Sequence, residues 1–180
     1  MVSRSGRLGL GLAIALVAQV VAGPAEAAYV FYNQTNGDWS TLCWRDDQTG
    51  QANCRFGAPP ETLTENGQQN ILLVHEYAAD RFQIAVEVRD LVDPGAPLFL
   101  KVDDGTLHET TIENGFARWV GKDAMALLSE LLNGVRVVYR VITAPDGLPR
   151  DTAVSLQGFG PSLAGYRGVI RDVGILPGAP

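Results

Sequence analysis

The sequence predicts a mainly β chain, built as a single-domain β-sandwich or partly open barrel with one short helix. Three observations carry this reading. Short β-branched and aromatic runs recur through most of the chain, turn formers separate them at short intervals, and only one segment places apolar residues at helical spacing. Because the strands do not alternate with helices, a parallel α/β sheet is excluded.

The elements follow in order. Ala28 to Tyr32 is a short aromatic run ending at Asn33, and Asn36-Gly37 marks a turn. Trp39 to Cys43 alternates, with Trp39, Thr41 and Cys43 on one side. Asp46 to Asn53 suits a hairpin tip, and the return strand carries Cys54 and Phe56. Ala58-Pro59-Pro60 to Gly67 reads as loop or edge, since proline cannot donate to a ladder. Ile71 to Val74 and Gln83 to Val88 have the length and branching of strands, with Tyr77 to Asp80 as a loop between them. After the turn Asp93 to Pro97, Leu98 to Val102 and Thr106 to Ile112 flank Asp103-Asp104-Gly105, a tight hairpin signal. Asn114-Gly115 closes it, and Phe116 to Val120 forms another short strand. Asp123 to Leu132 is the helix, with Asp123 near its start and Asn133-Gly134 as its C-cap. Val135 to Ile142 is a strong strand that places Arg136 and Arg140 on one face. Ala144 to Pro149 turns the chain, Thr152 to Leu156 forms the last strand before Gly158, and residues 176–180 read as a frayed tail.

The ends and the composition bound location. Residues 1–27 read as a secretory signal: Arg4 and Arg7 form the positive region, Leu8 to Ala22 the apolar region, and Ala25-Glu26-Ala27 a small-x-small cleavage site. The apolar run makes a helix of roughly 22 Å, short of the roughly 30 Å hydrocarbon core. No cysteine follows the cleavage site and the two arginines are not adjacent, so neither a lipoprotein nor a twin-arginine signal is indicated. The expected product is a soluble domain, residues 28–180, periplasmic or extracellular through general secretion and without stable membrane insertion. The formal charge of −6 becomes −7 once Arg4, Arg7 and Glu26 are removed. With no basic cluster, such a chain is not suited to nucleic acid.

The chain carries no Gly-x-Ser-x-Gly elbow or comparable catalytic signature. Its only two cysteines, Cys43 and Cys54, lie in a chain read as exported, where thiols pair, and the bond closes a short loop. A redox dithiol would show Cys-x-x-Cys spacing. The only histidines, His75 and His108, each precede a glutamate, but neighbours on a strand point to opposite faces and do not converge on one ion. Neither a metal nor another cofactor is therefore expected. Asp46-Asp47 and Asp103-Asp104 fall in turns, where aspartate caps backbone amides. Arg136 and Arg140 suit an exposed face with cross-strand carboxylates. Asn33-Gln34-Thr35 matches a glycosylation acceptor, but the Ala/Gly-rich composition suits bacterial export.

Two stretches resemble the invasion-associated locus B family. The first is Trp39-x-x-x-Cys43 followed by Cys54. The second, Val154 to Tyr166 with Ser155-Leu156-Gln157-Gly158-Phe159 at its centre, resembles the family's closing strand, its Gly-Phe turn and a short small-apolar segment. Met125 to Asn133 and the strand after it are similar to the family's helix and subsequent strand. Family members commonly carry a second cysteine pair in the central region, where this chain has Glu113 to Arg118 and no cysteine. The resemblance implies a β-rich bacterial envelope protein associated by name with invasion, with no agreed reaction or cofactor.

The expected function is non-enzymatic interaction with an envelope or host component. The alternatives are a periplasmic hydrolase or metal-dependent enzyme using His75 or His108, and a small-ligand carrier. Mass mapping of a non-reduced digest is expected to recover Cys43 and Cys54 in one cross-linked peptide pair, and recovery of both as free thiols would refute the staple.

Overall fold

The computed structural model describes residues 29–58, 69–78 and 80–175. The expected leader, the segment after Ala58 and the tail lie outside these residues. The described chain forms β1 (Tyr29–Asn36), β2 (Trp39–Arg45), β3 (Ala52–Ala58), β4 (Ile71–Ala78), β5 (Arg81–Glu87), β6 (Pro97–Val102), β7 (Leu107–Glu113) and β8 (Phe116–Val120). These are followed by α1 (Gly121–Asn133), β9 (Arg136–Ile142), β10 (Pro149–Ser155) and α2 (Phe159–Asp172).

All ten strands belong to one sheet in the order β1-β2-β3-β4-β5-β8-β7-β6-β9-β10, and every pairing is antiparallel. The sheet is not closed into a barrel: β1 and β10 are its two ends. One short seam lies between β7 and β8, which pair only at Ile112–Ala117 and Glu113–Phe116. About this seam the sheet turns its inner faces toward one core. Trp39, Phe56, Leu72, Ile84 and Trp119 from one half share that core with Leu98, Val137, Tyr139 and Val154 from the other. Tyr139 reaches across to donate its hydroxyl to the Asn70 carbonyl at 2.6 Å. Burial raises the pKa of that phenol far above its ordinary value, which keeps it a neutral donor.

The predicted alternation holds where it was clearest. Trp39, Thr41 and Cys43 are buried with Ser40, Leu42 and Trp44 between them, and Ile84 and Val86 point inward from β5. Among the boundaries that differ, three strands stand out. β1 continues to Asn36, because pairing with β2 supplies the hydrogen bonds that Asn33 to Asn36 lack any propensity to seek. β4 runs on through Tyr77, expected in a loop, to Ala78. β10 starts at Pro149, where an edge position tolerates proline. Helix α1 begins two residues before Asp123 and ends at Gly134 as expected, but Gly134 has φ −85°. Glycine is needed there for space: a Cβ would lie 2.4 Å from Val102 Cγ1.

The expectation of one short helix is corrected. Residues 159–172, of which the part up to Tyr166 reads as a turn and small-apolar segment, form α2, which lies against β1, β2 and β3. Gly160, Pro161, Gly165 and Gly168 lower its helix propensity. Pro161 nevertheless sits in the first turn, where its missing N–H costs nothing. Phe159, Leu163, Tyr166 and Ile170 form the buried stripe that holds the helix in place.

The junction between β10 and α2 is fastened to the β1–β2 turn. The Trp39 indole donates to the Ser155 carbonyl at 2.8 Å, and the Asp38 carboxylate accepts from the Ser155 amide at 2.9 Å. Trp39 packs on Phe159 at 4.6 Å and on Phe56 at 5.2 Å between ring centroids, while Phe56 stacks on Tyr166 at 5.5 Å. Gly158 takes φ +84° beneath Asn36, whose side chain would lie 3.1 Å from an added Cβ. Both the left-handed conformation and the close approach call for glycine. Trp39→Ala should cost about 3–5 kcal/mol in urea unfolding. Trp39→Phe, which keeps a ring but leaves the Ser155 carbonyl without its donor, should cost about 1–3 kcal/mol. An alanine variant within about 1 kcal/mol of the parent would show that this junction does not hold the fold.

Candidate functional site

Cys43 and Cys54 face each other directly on β2 and β3, with Cα atoms 4.1 Å apart, and form a disulfide. Cys43 is fully buried on the face that also carries Trp39. The other residues singled out in the sequence meet close by: Trp39, Ser155, Gly158 and Phe159 make up the junction just described. Leu156 lies at the end of β10, buried, with its amide bonded to the Val135 carbonyl. The structure therefore brings together two motifs far apart in sequence, and their contacts are those of a scaffold.

Histidines 75 and 108 lie in different surroundings. His108 on β7 approaches Glu130 of α1 at 3.1 Å, an ion pair when the ring is protonated. His75 projects from β4 away from its neighbour Glu76, as the strand period requires. Glu76, 5% exposed, receives both arms of Arg167 from α2 at 2.9 Å. Arg167 also bonds Asp80 at 2.7 Å and lies over the Phe82 ring. This buried fork ties α2 to the β4–β5 hairpin. Nothing in the local sequence announced it, because its partners are 91 residues apart. Next to it, the Tyr166 hydroxyl accepts a long bond from the Glu76 amide, and burial pushes its pKa up to about 12. Among the described residues, no group of three or more His, Cys, Asp or Glu side chains is placed to hold a metal.

The most distinctive surface lies on the outer face of the larger half of the sheet. β3 and β4 pair only through Gly57–Leu73 and Ala58–Leu72 among the described residues. Toward Cys54 and His75 no further pairing joins them, and a cleft of about 310 Å³ opens. Leu73 and Ala85 line it, with Trp44, His75 and Gln83 alongside, as do Arg55, Glu87, Phe116 and Arg118. Arg55 and Arg89 both bind Glu87, so that carboxylate is engaged. Arg118 lies 4.5 Å above the Phe116 ring. The Trp44 indole, the His75 imidazole, the Gln83 amide and the Arg118 guanidinium make no hydrogen bond to any described residue. Four polar groups thus line one concavity, open to solvent and without a hydrogen bond to another described residue.

Two other cavities lie among the described residues. A groove of about 610 Å³ on the outer face of the smaller half has an apolar lining that includes Phe99, Val138 and Ile142. Most of its charges are spent. Arg140 binds Asp151 through two bonds of 2.6 and 2.8 Å, the cross-strand pairing expected for this arginine, and that contact lowers the Asp151 pKa. Asp103 accepts from the Val135 and Arg136 amides. A second hollow, of about 390 Å³, lies where α2 meets β3 and β4, and Arg45, Asn53, His75 and Tyr166 are among its lining. His75 therefore borders two cavities. The glycosylation-type triplet lies on β1 with Asn33 exposed.

This arrangement of sheet and helices matches a solved structure. The chain is similar in fold to invasion associated protein B from Bartonella henselae. The superposition covers 78% of this chain and 99% of that one, with a TM-score of 0.60 and 19% identity. At that identity the likeness shows the fold alone. No protein-family model and no curated protein sequence matches the chain.

Burial lowers the pKa of His75 below 6.5. The unfolded chain then binds a proton at a higher pH than the folded one, so this group's contribution to stability falls as pH drops below about 6.5. The urea midpoint should therefore decrease from about pH 7.5 to about pH 5.5, and His75→Gln should flatten the slope. Identical slopes in the two proteins would show that His75 is not desolvated in the fold.

Proposed function

We propose that this chain is an exported, non-enzymatic protein that acts by binding an envelope or host component through the cleft over β3 and β4. The observation that carries this reading is the set of four unengaged groups, Trp44, His75, Gln83 and Arg118, around one apolar-floored concavity. A buried or half-buried polar group without a protein partner is costly to dry, and a ligand that supplies the missing bonds recovers that cost. The neighbouring carboxylate, Glu87, is already held by Arg55 and Arg89, whereas Arg118 has no carboxylate. The cleft therefore favours an acceptor-rich, acidic group on the partner.

The disulfide and the leader-like N-terminus support export, since such bonds persist in oxidising compartments. The distant fold relative carries an invasion-associated name, which is consistent with a role at the cell envelope. The neutral His75 ring offers such a partner one donor and one acceptor nitrogen.

The test compares capture of envelope proteins and acidic envelope polymers by the parent chain and by Trp44→Ala/Arg118→Ala. The double variant is expected to lose at least tenfold in affinity for the captured component while retaining its unfolding midpoint, as removal of two central anchors does. Equal capture by both proteins would exclude the cleft as the recognition site.

A further inference from the structure

Among the described strands only β1 and β10 lack a partner on one side, and the two ends are built differently. β10 opens with Pro149 and carries Arg150 and Asp151, which are ion-paired to Asp90 and Arg140. Proline and charge on an edge oppose pairing with another chain. β1 has neither in its eight residues, Tyr-Val-Phe-Tyr-Asn-Gln-Thr-Asn. Its ladder with β2 is irregular only between Val30 and Tyr32, and from Tyr32 to Asn36 it is continuous. Asn33 to Asn36 are exposed. Tyr32 and Gln34 bond to each other on the side facing Gly165 of α2, which leaves Asn33 and Thr35 on the outer face of the sheet.

We infer that two copies of this chain join edge to edge through Tyr32–Asn36 of β1, antiparallel, to form a two-fold dimer with one continuous sheet. A second copy suits this edge for a specific reason. Self-pairing sets a segment against itself, so any charge in it faces its own like, and this segment has none although the chain as a whole carries −6. Amide and hydroxyl side chains meet their own kind across the seam, where each is both donor and acceptor. Such an interface is isologous and closes at two copies, because each β1 has one open edge.

Antiparallel pairing puts the two-fold axis perpendicular to the sheet. Both outer faces then look the same way, so the two clefts lie on one side of the dimer. From β4 to its symmetry mate there are seven strand spacings, about 34 Å along the sheet before twist. A partner that presents repeated groups on one surface would engage both clefts, with the gain in avidity that linkage brings. Only this last consequence rests on the role proposed for the cleft, and the pairing stands or falls without it.

Sedimentation velocity of the leader-free chain over about 1–300 µM is the test, since a seam this short makes a weak, concentration-dependent dimer. The parent chain should shift from monomer to dimer across that range. Asn33→Lys/Thr35→Lys, which sets like charges across the seam, should stay monomeric with an unchanged far-UV spectrum and melting temperature. Ala153→Lys on β10 should dimerise like the parent. A parent chain that is monomeric throughout, a dimer that survives the β1 substitutions, or one that Ala153→Lys abolishes would each overturn the inference. Should the β1 variant fail to fold, hydrogen exchange of the parent decides: amides of Tyr32–Asn36 should gain protection with concentration, and unchanged protection refutes the pairing.

Discussion

Most of the architecture hangs on how Trp39 is satisfied. A tryptophan can be buried at low cost only if its indole N–H finds an acceptor, and here the acceptor is the carbonyl of Ser155 at the far end of the sheet. That bond, with Asp38 on the Ser155 amide, draws the β1–β2 turn against the β10–α2 junction. Once the two are joined, the first residue of α2, Phe159, lies on the Trp39 ring, and the rest of the helix can lay Leu163, Tyr166 and Ile170 over the inner face. The ten strands remain an open sheet, yet its two ends are held near one another.

A second constraint follows from where α2 comes to rest. Tyr166 and Arg167 approach β4 next to the point at which it ceases to pair with β3, and Glu76 inside that strand is neutralised by the Arg167 fork. The inner side of the divergence carries aromatic rings and a compact ion cluster beside the hollow under α2. On the outer side the cleft opens. One local failure of strand pairing produces both the anchorage of the helix and the concavity on the opposite face.

These consequences were unevenly legible in the sequence. Strand identity was readable wherever burial follows a period of two, as in Trp39-Thr41-Cys43, and so was the turn chemistry of Asp103 and Asn114, which both adopt positive φ. The disulfide and the clustering of Arg140 with a carboxylate followed from the expected compartment and from the strand period. Helix α2 was obscured because three glycines and a proline speak against it locally, while its support comes from Phe56 and Glu76, remote in sequence. The cleft was less legible still. Trp44, Gln83 and Arg118 look like ordinary outward-facing strand residues, and only the divergence of β3 from β4 and the pairing of β5 with β8 bring them together. Trp39 and Gly158 were recognisable as paired motifs, but their physical partnership required the fold.

The sequence distance spanned by the Trp39–Ser155 bond, 116 residues, also bears on when the protein can fold. A chain released from its N-terminus exposes Trp39 early and Ser155 near the end, so the tryptophan has no acceptor until nearly all of the polypeptide has emerged. Contacts of such long range form late and slowly. The same bond that closes the finished structure thereby acts as a timer on its assembly.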